Sequence, residues 1–177
     1  MAVTSLIAAA LVATVQVPAE SRSTVDCVVE QVSAGDRLAI AEAALSESPR
    51  DPQATEVEER FSTYLADCAQ LYGWDEAQIL RVSALGISRL VREVARARLA
   101  GAGIDGAALD LWFDRQSETF RTTAFHTMDE AEFEAAFMTL QDAVVAADLL
   151  DAHAGLVGGY LAMRVLAVRA ERGLSVE

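Results

Sequence analysis

Apolar residues recur three and four positions apart through most of this chain, and that spacing leaves little choice but helix. Val57, Phe61, Tyr64, Leu65, Cys68, Leu71 and Tyr72 form one such stripe. Leu80, Ala84, Ile87, Val91 and Val94 form a second, and Leu109, Trp112, Phe113, Gln116 and Phe120 a third. Phe133, Phe137, Leu140, Val144 and Ala147 make a fourth, predicting a helix that runs to about Asp151.

The punctuation between these stripes is that of helix ends. Ser33 with Asp36 predicts a cap for a helix through Leu38, Ala41 and Leu45, stopped by Pro49 and Pro52. Asp51-Pro52 starts the next helix and Gly73 ends it. The helix from Trp74 to Leu99 carries Asp75 and Glu76 at its start and Arg96 and Arg98 near its end, as the helix dipole favours. Gly101 and Gly103 close it, Asp105 caps the following helix, and Thr127 with Glu130 makes a T-x-x-E capping box. From Gly155 to Arg172 the chain is apolar nearly all round, which predicts a central helix. Gly158-Gly159 lies within it, and its cost in helix propensity is repaid if a neighbour such as Trp112 or Phe137 packs close. Residues 20–26 are polar and read as loose, and Cys27 to Val32 is short and β-branched, so its state is ambiguous. The expectation is an all-α, single-domain bundle of five or six helices.

The first nineteen residues stand apart. Leu6 to Val17 is uncharged, and Val17-Pro18-Ala19 places small residues where a signal peptidase reads. Residues 1–19 therefore read as a secretory signal peptide, with 20–177 as the helical domain and a periplasmic or secreted location. The usual Lys or Arg of an n-region is missing, which an upstream start or a weak signal would both explain. The apolar run is roughly a dozen residues, short of the about 20 that a membrane span needs. Of 177 residues, the 158 after Ala19 suffice for a real core. Two cysteines, Cys27 and Cys68, in an exported chain suggest a disulfide. Thr24-Val25-Asp26 does not suit a lipidated Cys27.

Charge narrows the partners. The net charge is −13 and all fourteen basic residues are Arg. Nucleic acid and anionic membrane surfaces need clustered cations. The one basic cluster, Arg89, Arg92, Arg96 and Arg98, is interrupted by Glu93 and reads as a solvated face with local ion pairs.

Candidate chemistry is sparse. His126 has Asp129 and Glu130 near it, and His153 has Asp151, but neither shows the paired spacing of a metal site, and no metal or other cofactor is expected. Asp129, Glu130, Glu132 and Glu134 lack the spacing of a calcium loop and suit a first helical turn. Ser83, Ser88 and Ser117 sit within helical pattern, with no nucleophile elbow. Gly101-Ala102-Gly103 follows no strand, so it is not a phosphate loop. Trp74, Trp112, Phe113, Phe120, Phe133 and Phe137 read as packing. The leading expectation is a non-enzymatic module that binds another protein. A carrier of a small apolar ligand, with a pocket beside Gly158-Gly159, is second, and a hydrolase without a recognisable motif third.

Overall fold

A computed structural model describes residues 19–45 and 52–175. They form an all-helical fold. The helices are α1 (Ala19–Gln31), α2 (Ala34–Leu45), α3 (Pro52–Tyr72), α4 (Glu76–Gly101), α5 (Gly106–Asp114), α6 (Glu118–Thr122), α7 (Glu130–Ala143) and α8 (Ala147–Glu171). A turn of 3-10 helix, Phe125–Thr127, precedes α7. Eight α-helices among the described residues exceed the five or six expected; the first two differences below each add a helix, and the third moves a boundary.

First, residues 20–26, expected to be loose, and Cys27 onward, whose state the sequence left open, form one helix up to Gln31. Val25, Val28 and Val29 sit at the i, i+3, i+4 spacing of one face and are all buried, as is Val32 just beyond the helix. Tertiary packing here outweighs the modest helix propensity of valine. Second, the pattern from Leu109 to Phe120 is two helices, because Ser117 intervenes. Its hydroxyl accepts from the Phe120 N–H at 3.1 Å and so starts α6. Third, the pattern from Phe133 to Asp151 divides at Val144–Ala146. Val144 leaves helical geometry, and α8 begins at Ala147, eight residues before Gly155. The extra stretch of α8 bends at His153, whose φ is −129°.

The caps follow the sequence at three ends and depart from it at a fourth. Ser33 Oγ accepts from Asp36 N–H at 3.1 Å and Asp105 accepts from Ala107 N–H at 2.8 Å, while Asp75, expected only as an acid of the first turn, makes a full capping box with Gln78. Gly73 closes α3 at φ +66°, a left-handed conformation that a side chain would strain. At α7 the cap is Asp129, whose carboxylate accepts from the N–H groups of Ala131 and Glu132. Thr127, the expected cap, donates to the Ala124 carbonyl instead and serves the 3-10 turn. Asp51, Pro49 and the expected signal peptide up to Pro18 lie outside the described residues.

The core has two parts. One gathers Val28, Val29, Val57, Phe61, Leu65, Cys68 and Leu90 from α1, α3 and α4. The other gathers Leu99, Leu109, Phe113, Phe120, Leu140, Tyr160 and Leu161 from α4, α5, α6, α7 and α8. Helix α4 runs through both, and packs on α1, α2, α3, α5 and α8. It is buried on two sides, through Val82, Ala84, Gly86, Ser88, Leu90, Val91, Ala95 and Leu99. Leu45, the last residue of α2, packs against both parts. It also occupies the space beside Gly159. A Cβ on Gly159 would lie 2.4 Å from Leu45 Cδ2, so the close neighbour of that glycine is α2 rather than Trp112 or Phe137. No helix among the described residues is long and apolar enough to cross a membrane.

Candidate functional site

Three arginines from two helices converge on one carboxylate. The i, i+4 spacing of Arg92 and Arg96 puts both on one side of α4. Asp110 projects from α5, and Arg164 from α8. Arg96 Nη2 bonds Asp110 Oδ2 and donates to the Tyr160 hydroxyl at 3.0 Å. That hydroxyl in turn donates to Asp110 Oδ1 at 2.8 Å. Arg92 Nη2 lies 3.5 Å and Arg164 Nε 3.3 Å from the same Oδ1. Arg164 also pairs with Asp114.

The aromatic rings below set the stage for this cluster. Tyr160 is fully buried, yet its hydroxyl has partners on both sides, as a buried phenol requires. The Arg92 guanidinium lies over the Tyr160 ring at 5.7 Å, and that of Arg164 over Phe113 at 4.9 Å, where the electron-rich faces attract cations. Gly106 supplies room for Arg96: a Cβ there would meet Arg96 Cγ at 3.0 Å. The Tyr160 hydroxyl first, then Asp110, hold the Arg96 guanidinium above its ordinary pKa, so it stays charged.

Outward from this cluster, α4 borders an open groove of about 540 Å³. Among the described residues it is lined by Arg89, Arg92, Glu93, Arg96, Ala97 and Ala100. The neighbouring charges are paired: Arg89 with Asp26, Arg37 with Glu93 at 3.1 Å, and Arg98 with Glu42. The expected ion-paired face is thus present. Its focus on Asp110 was not legible, because the sequence separations are 14 to 64 residues.

A second surface lies at the turn from α3 to α4. Leu71 is 72% and Tyr72 49% exposed, although both continue the apolar stripe of α3. Trp74 stacks on Tyr72 with ring centroids 5.8 Å apart and planes 9° from parallel. Leu80, expected on the inner stripe of α4, is 55% exposed. The inward residues near it are Val82 and Ala84 instead. The turn is held from within: Cys68, one helical turn before Leu71, is bonded to Cys27 of α1 with sulfurs 2.03 Å apart. Gln31 Nε2 approaches Cys68 Sγ at 3.0 Å.

The remaining candidates are dispersed. His153 is half-buried at the bend of α8, and His126 belongs to the 3-10 turn. Asp129 is spent on capping α7, with Glu130 and Glu132 in the first turn. Ser88 is buried and donates to the Met163 carbonyl at 2.7 Å, and Ser117 caps α6. Among the described residues no three of His, Cys, Asp and Glu stand close enough to hold a metal ion. Of the aromatic set, Trp112, Phe113 and Phe120 are buried, while Phe120, Phe125, Phe133 and Phe137 form a chain of ring contacts 4.5 to 5.6 Å apart. No family model, curated protein or solved structure matches the chain.

Proposed function

We propose that this protein is an exported, non-enzymatic module that binds another protein, through the Leu71–Tyr72–Trp74 corner. The observation that carries the reading is the exposure of Leu71 and Tyr72 beside a stacked indole. Exposed apolar clusters of this kind mark contact surfaces, and Tyr and Trp are enriched where binding energy concentrates. The corner is also pre-organised. The disulfide, the glycine turn and the Asp75–Gln78 capping box hold it from three sides, which lowers the ordering cost of association. Export rests on the character of residues 1–19 and suits the disulfide. Leu45 occupies the space beside Gly159, which makes that glycine a weaker basis for the carrier reading.

A photoreactive side chain at position 71, compared with one at Leu111, which is also exposed (54%), tests the proposal in the native host. The expected result is one defined cross-linked partner from position 71 only. Leu71→Glu and Tyr72→Glu should keep stability within about 0.5 kcal/mol, as surface changes do, yet abolish capture of that partner. Equal capture from both positions, or capture that survives both substitutions, overturns the proposal.

A further inference from the structure

We propose that the α4 groove binds one small oxyanion, a carboxylate or a phosphate, between Arg92, Arg96 and Arg89. The first argument is local charge. Arg89 with Asp26 and Arg37 with Glu93 are balanced pairs. Among the described residues, that leaves Arg92, Arg96 and Arg164 facing Asp110 and Asp114, three cations against two carboxylates. In a chain of net charge −13, this is a local excess of one positive charge. Like charges held together in a half-buried setting repel, and an added anion relieves that repulsion.

The second argument is unused donors. Among the described residues, Arg92 is engaged by the 3.5 Å approach to Asp110 and by the Tyr160 ring, and its Nε is buried without a hydrogen-bond partner there. Guanidinium forks bind carboxylate and phosphate in pairs of parallel hydrogen bonds. The third argument is space. The groove lies against these arginines, falls within the usual range of small-ligand sites, and is bordered by Ala97 and Ala100, which leave room for the body of a ligand. The overall negative field repels polyanions, whereas a single oxyanion gains from the nearby guanidiniums more than it loses to distant, screened charges. This inference is independent of the α3–α4 corner.

Calorimetric titration with inorganic phosphate in one arm and butyrate in the other tests it and separates the two chemistries. One-to-one binding of either anion that weakens with added sodium chloride is expected. Arg92→Gln should weaken it about tenfold or more, the usual scale for a charged hydrogen bond. Arg60→Gln, which removes the same charge from α3, should leave it unchanged. Asp110→Asn removes the internal competitor and should tighten binding, a direction that mere structural damage would not produce. Should that variant fail to fold, the Arg92 and Arg60 pair still decides. No binding in either arm, or equal affinity in the Arg92→Gln and Arg60→Gln variants, overturns the proposal.

Discussion

Gly158 and Gly159 are adjacent in one helix, yet they should respond to alanine in opposite ways. Both sit inside α8, where replacing glycine by alanine removes backbone freedom from the unfolded chain and favours the folded state by about 0.5–1 kcal/mol. A Cβ on Gly158 meets nothing within 4 Å, so Gly158→Ala should realise that gain. A Cβ on Gly159 would lie 2.4 Å from Leu45 Cδ2 and 3.8 Å from its Cγ. The clash is with the tip of a side chain, so the helices need not separate. Leu45 must leave its rotamer, at about 0.5–1.5 kcal/mol, and surrender contacts with both parts of the core. Gly159→Ala should therefore fall about 1–2 kcal/mol below Gly158→Ala, with the rotamer cost as the lower part of that interval. For a domain of this size the gap is roughly 2–8 °C in Tm. The Leu45→Ala background supplies the check, since removing the leucine removes the clash. There Gly159→Ala should become stabilising by about 0.5–1 kcal/mol, and the double-mutant cycle should show a coupling of about 1 kcal/mol or more. Urea denaturation of the four proteins measures this directly. Equal stabilisation by Gly158→Ala and Gly159→Ala, with no coupling to Leu45, would refute the close-packing account.

Reduction of Cys27–Cys68, or its replacement by a serine pair, should lower stability by about 2–5 kcal/mol without abolishing helicity by circular dichroism; a bridged separation of 41 residues corresponds to about 4 kcal/mol in the chain-entropy model. Tyr160→Phe should cost about 1–3 kcal/mol in chemical denaturation, because Asp110 loses a 2.8 Å hydrogen bond and Arg96 an acceptor. Gly106→Ala should press on Arg96 and weaken its contact with Asp110, read as a loss of coupling between Arg96→Gln and Asp110→Asn. Arg60 first, then Ser33, holds the Asp36 carboxyl below its ordinary value of 3.8. Its contribution is therefore fully present above that value and lost as pH falls through the lowered one. The stability difference between the protein and Arg60→Gln should shrink on acidification below about pH 4, and a difference that grew there would contradict this assignment.

Much of the helical framework was legible because it is decided within a few residues of chain. Ser33 and Asp105 cap backbone N–H groups two or three positions away, and Gly73 turns the chain through its own positive φ, so their roles follow from the sequence alone. The same holds for the buried stripe Val57, Phe61, Leu65 and Cys68 of α3. The pairing of Cys27 with Cys68 followed from there being only two cysteines. Errors arose where two local solutions were close in energy. Thr127 and Asp129 are both competent caps, and the 3-10 turn claims the first while α7 takes the second. The valines of α1 have weak helix preference by themselves, and burial against α3 and α4 decides their state.

What only the tertiary structure decided is which apolar residues remain outside and which charges meet. Leu71, Tyr72 and Leu80 match the period of their helices as well as their buried neighbours do. Their exposure reflects which faces of α3 and α4 the neighbouring helices cover, and those faces are set by packing rather than by period. The Asp110 cluster depends on α4, α5 and α8 crossing at one level, and periodicity carries no information about such crossings. Short-range hydrogen bonds and backbone preferences are written residue by residue, whereas the meeting of Arg92, Asp110, Tyr160 and Arg164 exists only once the helices have packed.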